Sequence, residues 1–194
     1  LKPLHGLGDR EREWLEYGAL LHDIGTHISF ERHHRHSYYL IRNGDLRGFE
    51  PVEVPVIALV TRYHRRAEPS RDHEGYADLP RALRRTVRVL GAILGLSEAL
   101  DRSHHAMVRA VQVSLKSDAV TLTLQTRGDA ELEVWAAQRQ RAALEHALDR
   151  PVALVARLVE EPEDVGPAAA REAPGRMAPP RRASRPRTAT RSRA

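Results

Sequence analysis

Between Leu20 and Ile41 the stretch LLHDIGTHISFERHHRHSYYLI holds five of the chain's eleven histidines, and one of them, His22, is followed by Asp23 at the end of an apolar run. Imidazole and carboxylate beside buried leucines are costly to desolvate unless a metal, an anion or a partner compensates them. Similar groups recur along the chain: His33, His34 and His36 in HHRH, His64 in RYHRR, and Asp101 in ALDRSHH. Neutral imidazole and carboxylate together suit Mg2+, Mn2+, Fe or Zn according to their proportions. A cation held this way lowers the pKa of water and polarises a phosphoryl oxygen, which suits hydrolysis of phosphate esters and anhydrides. In RYHRR, Arg62, Arg65 and Arg66 either complement a helix C-terminus or offer planar forks to phosphate oxygens. Ser37 and Ser103 neighbour histidines, but no glycine elbow supports a nucleophilic triad.

Adjacent ligands on a helix diverge by about 100°, so His22 and Asp23 must sit where a helix skirts the metal, with a remote acid closing the site. Helices therefore have to supply the frame. Trp14, Tyr17, Leu21 and Ile24 recur at three- and four-residue steps and predict a first helix, with Asp9 as N-cap and Gly25 as its end. Arg12 falls where an acid would complete the capping box. A second helix is expected over His33–Arg42, stopping at NGD. A third runs from near Glu50 to about Arg65 with Pro55 in its first turn or so. The stretch LPRALRRTVRVLGAILGLSEALDRSHH forms a long fourth helix with Leu83, Val87, Leu90, Leu94 and Leu100 turned inward.

After it the period changes to two. AVQVSL and AVTLTLQT, separated by KSD, read as a hairpin, and ELEVW as a third strand. AAQRQRAALEHAL returns to helical spacing and PVALVARLV closes as a strand. Trp14 and Trp135 read as core anchors. The expected organisation is mainly α: a helical domain over 1–108, a small α+β domain over 109–160, and a disordered tail over 161–194 rich in Arg, Pro and Ala.

Composition bounds the partners. At 194 residues the chain can hold one domain of ordinary size or two small ones. No run approaches the ~18 apolar residues that suggest a membrane span. The opening LKPLHGLGDRERE has neither a secretory core nor a starting Met, so the chain reads as soluble and as cut from something longer. Cysteine is absent, which removes disulfides, thiolate nucleophiles and Cys-bound zinc, and points to a reducing cytoplasm. The pI of about 10.0 is misleading, because residues 167–194 carry eight arginines and one glutamate. Residues 1–166 keep 23 basic against 25 acidic groups, so the folded part is near neutral and argues for no nucleic-acid surface.

LLHDIGTHI, HHRHSYYLIRNGDLRGFEPVE, LVTRYHRR and LSEALDRSH resemble, in order and spacing, the C-terminal region of the exopolyphosphatase / guanosine pentaphosphate phosphohydrolase family, over about residues 4 to 158. The helical part is similar to the wider HD superfamily of metal-dependent phosphohydrolases, and the end of the chain to the family's small terminal α/β domain. The resemblance implies that His22 and Asp23 are the HD pair, that Asp101 is its distal aspartate, and that His33 and His64 bind a second metal, with His36 competing with His33. It further implies a histidine-bearing helix upstream of Leu1. His5 lies in a connecting stretch and does not replace it. The hydrolytic centre is expected in an N-terminal pair of actin-like domains, and no phosphate-cradling glycine loop is present in this sequence.

The function implied is release of terminal phosphate from inorganic polyphosphate or guanosine pentaphosphate with a divalent cation, Mg2+ or Mn2+. This part would bind the polyanion through Arg32, His33, His34, Arg35, His36, Arg62, His64, Arg65 and Arg66 and help form a homodimer. The rival expectation is that the helical part is itself a metallohydrolase of a nucleotide or phosphoanhydride, with His22, Asp23, His33, His64 and Asp101 as ligands. A purely structural dimerisation module is a third possibility.

Overall fold

The computed structural model describes residues 1–65, 68–116 and 118–159. Arg66 and the expected tail at 161–194 lie outside the described residues. α1 (Lys2–His5) is one turn that ends on Gly6 in left-handed backbone. α2 (Asp9–Leu21) places Gly8, not Asp9, at its N-cap. The Glu11 carboxylate accepts the Gly8 N–H at 2.7 Å, so the acid missing from position 12 is supplied one residue earlier. Asp9 and Glu11 in the first turn also suit the helix dipole.

Gly25 does not end α2, which stops at Leu21; it is buried in a 3-10 turn, Ile24–His27. A Cβ there would stand 2.3 Å from the His33 carbonyl oxygen and 2.4 Å from the Ser37 nitrogen. Only glycine lets that turn lie against α3 (His33–Asn43). The Ser37 hydroxyl locks the approach, accepting the Gly25 N–H at 2.9 Å and donating to the His22 carbonyl at 2.6 Å.

α4 (Glu53–Arg62) takes Pro55 in its first turn, where a missing N–H costs no helical bond. Its Val56, Ile57, Ala58, Leu59 and Val60 are all buried, so α4 is wrapped by the other helices instead of presenting one apolar stripe. α5 (Arg81–Leu100) is the longest helix described and serves two cores. Leu90 and Leu94 join Trp14, Tyr38, Ile41 and α4 in the first; Ala92 and Leu96 join Val120, Leu122, Leu144 and Val152 in the second.

That second core lies under a three-stranded sheet of order β1-β2-β3. β1 (Val108–Leu115) pairs antiparallel with β2 (Val120–Thr126), as the hairpin pattern requires. β3 (Val152–Leu158) runs parallel to β2, which obliges a crossover, and α6 (Glu131–Leu148) is that crossover. ELEVW is thus the start of α6 and not a strand. Its alternation covers too few residues to separate the two periods, and Glu131 and Glu133 are acids in a first helical turn. As a consequence Trp135 is 57% exposed under the Arg139 guanidinium, whereas Trp14 is the core anchor expected. Among the described residues no helix is long and apolar enough to cross a membrane.

Candidate functional site

Three histidines come from three different stretches of chain: His22 just after α2, His33 at the first position of α3, and His64 just after α4. Each ring has its Nδ1 beside the carbonyl oxygen three residues earlier: Ala19 for His22 (2.6 Å), Phe30 for His33 (3.1 Å) and Thr61 for His64 (2.5 Å). A local contact of this kind uses one ring nitrogen and fixes the ring, so the other nitrogen, Nε2, is what each histidine has left to offer.

Those nitrogens converge. His33 Nε2 stands 3.3 Å from His64 Nε2 and 3.1 Å from Asp23 Oδ1. His22 Nε2 stands 3.4 Å from Asp23 Oδ2, and the ligand atoms of His22, Asp23 and His64 all lie within 4.8 Å of one another. The rings of His22 and His64 meet edge to face at 5.0 Å, and those of His33 and His64 stack at 5.4 Å. His64 is 1% exposed and His33 4%, while Asp23 opens the site to solvent. His33 is therefore the ring that reaches Asp23 and His64; His36 turns its Cβ toward Gly25.

The α5 carboxylate beside His22 is Glu98, for which the residue pattern gave no signal. Its Oε2 lies 3.5 Å from His22 Nε2. Asp101, one turn further on, is the C-cap of α5 and faces His104 Nδ1 at 3.6 Å instead. Both acids sit in LSEALDRSH, and only the end of the helix at Leu100 tells them apart. His5 is used locally, its Nδ1 accepting the Leu7 N–H at 3.0 Å.

The charges follow from this packing. Interaction with Glu98 holds the His22 imidazole above its ordinary value against the opposing effect of burial, and His22 in turn holds Glu98 below its own. Burial pushes His64 down to about 4, the Thr61 hydrogen bond opposing it and the neighbouring imidazoles adding to it. His34, whose ring lies 6.4 Å from that of His64, is likewise pushed down to about 4, by burial first and then by His64 and His33. His22 Nε2 and His34 Nδ1 are buried without a hydrogen-bond partner. Glu98 and Asp23 attract the first of these but do not satisfy it. A buried orphan nitrogen aimed at two more imidazoles and two carboxylates is the donor chemistry of a cation site, and the residues fit one.

The expected phosphate-binding arginines divide. Arg65 Nη1 stands 3.2 Å from His33 Nδ1 and its guanidinium lies over Phe30, at the edge of the histidine cluster. Arg35 and Arg62 line an open groove with Arg42, Tyr38, Tyr39 and Glu74, Arg62 stacked over the Tyr38 ring at 5.0 Å. Arg32 is exposed beside Glu31, in left-handed backbone before α3. Against models of known families, residues 4–145 match that of the Ppx/GppA phosphatase, domain III.

Proposed function

Because the chain belongs to the Ppx/GppA phosphatase family, we propose that it engages the phosphate chain of inorganic polyphosphate or guanosine pentaphosphate in an exopolyphosphatase-type reaction, with a divalent cation held by His22, Asp23, His33 and His64. The observation that supports it is the convergence of three Nε2 atoms on Asp23 with Arg65 alongside. Three imidazoles and one or two carboxylates favour Mn2+, Fe2+ or Zn2+ over the Mg2+ that oxygen ligands select. Bound there, the cation would neutralise and polarise phosphoryl oxygens. The chain's own groups would do the rest. Arg65 supplies a charged donor beside the site, and Arg35, Arg42 and Arg62 guide the remaining anion along their groove.

His33 has two states open to it. Its Nδ1 can donate to Phe30, leaving Nε2 bare, or accept from Arg65 while Nε2–H donates to Asp23. The first suits a bound cation and the second its absence. Hydrolysis would fall to actin-like domains of the same protein or of a partner. A homodimer is part of the same reading, supported by β1, the edge strand of the sheet, where Val111, Val113 and Leu115 remain some 40% exposed and the outer edge has no strand beside it among the described residues.

A second reading, that the histidine site itself hydrolyses a nucleotide or phosphoanhydride, is favoured by the unpartnered His22 Nε2. One experiment separates them. The purified chain is assayed for Mn, Fe and Zn content, for polyphosphate binding across a salt series, and for phosphate release. Cation-dependent binding without release, weakened by Arg65→Ala and by salt, supports the first reading. Release that vanishes in His22→Ala/Asp23→Ala supports the second. Absence of both binding and release leaves neither standing.

A further inference from the structure

α5 carries two glycines, Gly91 and Gly95, both buried and about one helical turn apart. Glycine is the least favourable residue after proline inside a helix, so a buried pair needs a reason other than propensity. The reason lies next to them. α4 ends at Arg62, and the chain leaves it through Tyr63 and His64, directly against these two positions. A Cβ on Gly91 would stand 3.1 Å from the Tyr63 Cβ. One on Gly95 would stand 2.7 Å from the His64 carbonyl oxygen and 3.3 Å from its carbon, with the Gln140 amide oxygen of α6 at 3.5 Å from the same point. A backbone carbonyl cannot swing aside as the tip of a side chain can, so any side chain at position 95 displaces His64 itself.

His64 is held at both ends. Its carbonyl lies in the notch at Gly95, and its ring is tied through Nδ1 to the Thr61 carbonyl at 2.5 Å. From that seat its Nε2 comes to 3.3 Å from His33 Nε2. Three residues beyond Gly95, on the same side of the helix, Glu98 sets its carboxylate 3.5 Å from His22 Nε2. One stripe of α5, about 4.5 Å of helical rise, thus bears on two imidazoles from different stretches of chain. Gly18 of α2 offers the contrast. It also packs on α4, but its Cβ would meet the Val60 side chain at 3.1 Å and no part of a histidine. We propose that Gly95, backed by Gly91, is a positioning residue of the histidine site, its missing side chain setting the depth at which α5 seats His64 opposite His33 and His22. In its consequence for a cation this rests on the function proposed above; in its geometry it does not.

The test compares Gly95→Ala, Gly91→Ala and Gly18→Ala with the parent, all as the full chain. In chelator, NMR cross-relaxation between the imidazole protons of His64 and those of His33 and His22, whose rings lie 5.4 and 5.0 Å away, reads the geometry without metal. Equilibrium dialysis with Mn2+ and Zn2+ reads the consequence. Gly95→Ala is expected to lose the His64–His33 signal and to bind the cation about ten- to 100-fold more weakly, as loss of a supporting group does. Gly91→Ala, which crowds a side-chain carbon instead of a carbonyl, is expected to do the same to a smaller degree, and it decides the matter if Gly95→Ala does not fold. Gly18→Ala is expected to lower the thermal midpoint while keeping the parent's ring contacts and affinity. Ring contacts unchanged in both α5 variants, or an affinity unmoved by their loss, would overturn the proposal. So would their loss in Gly18→Ala, which would trace the effect to a general loosening of α4. If the parent takes up no cation, the cation reading fails and the ring contacts alone decide this one.

Discussion

Glu133 in the α/β part and His64 in the helical part are equally hidden, each 1% exposed, yet their polar atoms end differently. Burial pushes the Glu133 carboxyl up, but hydrogen bonds from Ser103 outweigh it and hold it below the ordinary range. Its Oε1 accepts the Ser103 N–H at 3.0 Å and so ties the end of α5 to the start of α6. Nothing is left over. In the helical part, Ser37 and Thr61 are likewise spent on backbone groups. The imidazoles are not: each uses Nδ1 locally and keeps Nε2. A buried polar group whose partners are complete is architecture, whereas one with a surplus nitrogen or oxygen aimed at others of its kind is a site.

The largest effect that could break this contrast concerns metal. His22→Ala/Asp23→Ala should weaken Mn2+ or Zn2+ binding more than about 100-fold, beyond what loss of supporting groups alone does, while Glu133→Ala leaves it unchanged. Equilibrium dialysis with elemental analysis decides it; equal loss in both would erase the distinction. Acid should then expose the helical part first. The His64 value is lowered in the folded chain, so between pH 6.5 and about 4 the unfolded chain binds more protons and stability falls with pH. The drop approaches about 3 kcal/mol in chelator. His22 works oppositely, its raised value giving stability that is complete below pH 6.5 and lost as pH rises through it. Urea midpoints at pH 7.5, 5.5 and 4 should show the fall, and His64→Gln should flatten it.

Glu133 contributes in a lower window. Its lowered value gives stability present above pH 4.5 and lost as pH falls through the folded value. Glu133→Ala should cost about 1–3 kcal/mol at pH 7, because the Ser103 N–H loses its partner. Gly25→Ala should cost a similar 1–3 kcal/mol by overpacking and also reduce metal uptake, since α3 must move and His33 moves with it; unchanged uptake would show that the 3-10 turn does not set the site. Smallest, Glu16→Ala breaks an exposed pair with Arg12 and should shift stability by under about 0.5 kcal/mol with no change in metal binding.

The helical part was largely legible because NGD, Pro55 and the regular apolar steps from Leu83 to Leu94 mark its elements: α3, α4 and α5 fall within a few residues of the spans expected from them. His22, Asp23, His33 and His64 could be named from residue type and from the resemblance together. That Glu98 and not Asp101 is the α5 acid beside His22 could not, because the two are one turn apart and the difference depends on where α5 ends. The contrast between His33 and His36 was equally hidden, being set by the approach of Gly25 to α3. ELEVW misled because five alternating residues fit a strand as well as the first turns of a helix whose Trp135 faces water.

α5 lends alternate leucines and an alanine to two interiors, and that sharing has a practical cost for anyone dissecting the molecule. A fragment cut near residue 108 would carry Ala92 and Leu96 uncovered into water, and its complement would leave Leu122 and Leu144 without part of their cover. Neither piece is expected to stand alone. Heat or denaturant should dissolve both interiors together in one sharp transition. The imidazoles thus owe their fixed positions in part to side chains beneath a sheet they never touch.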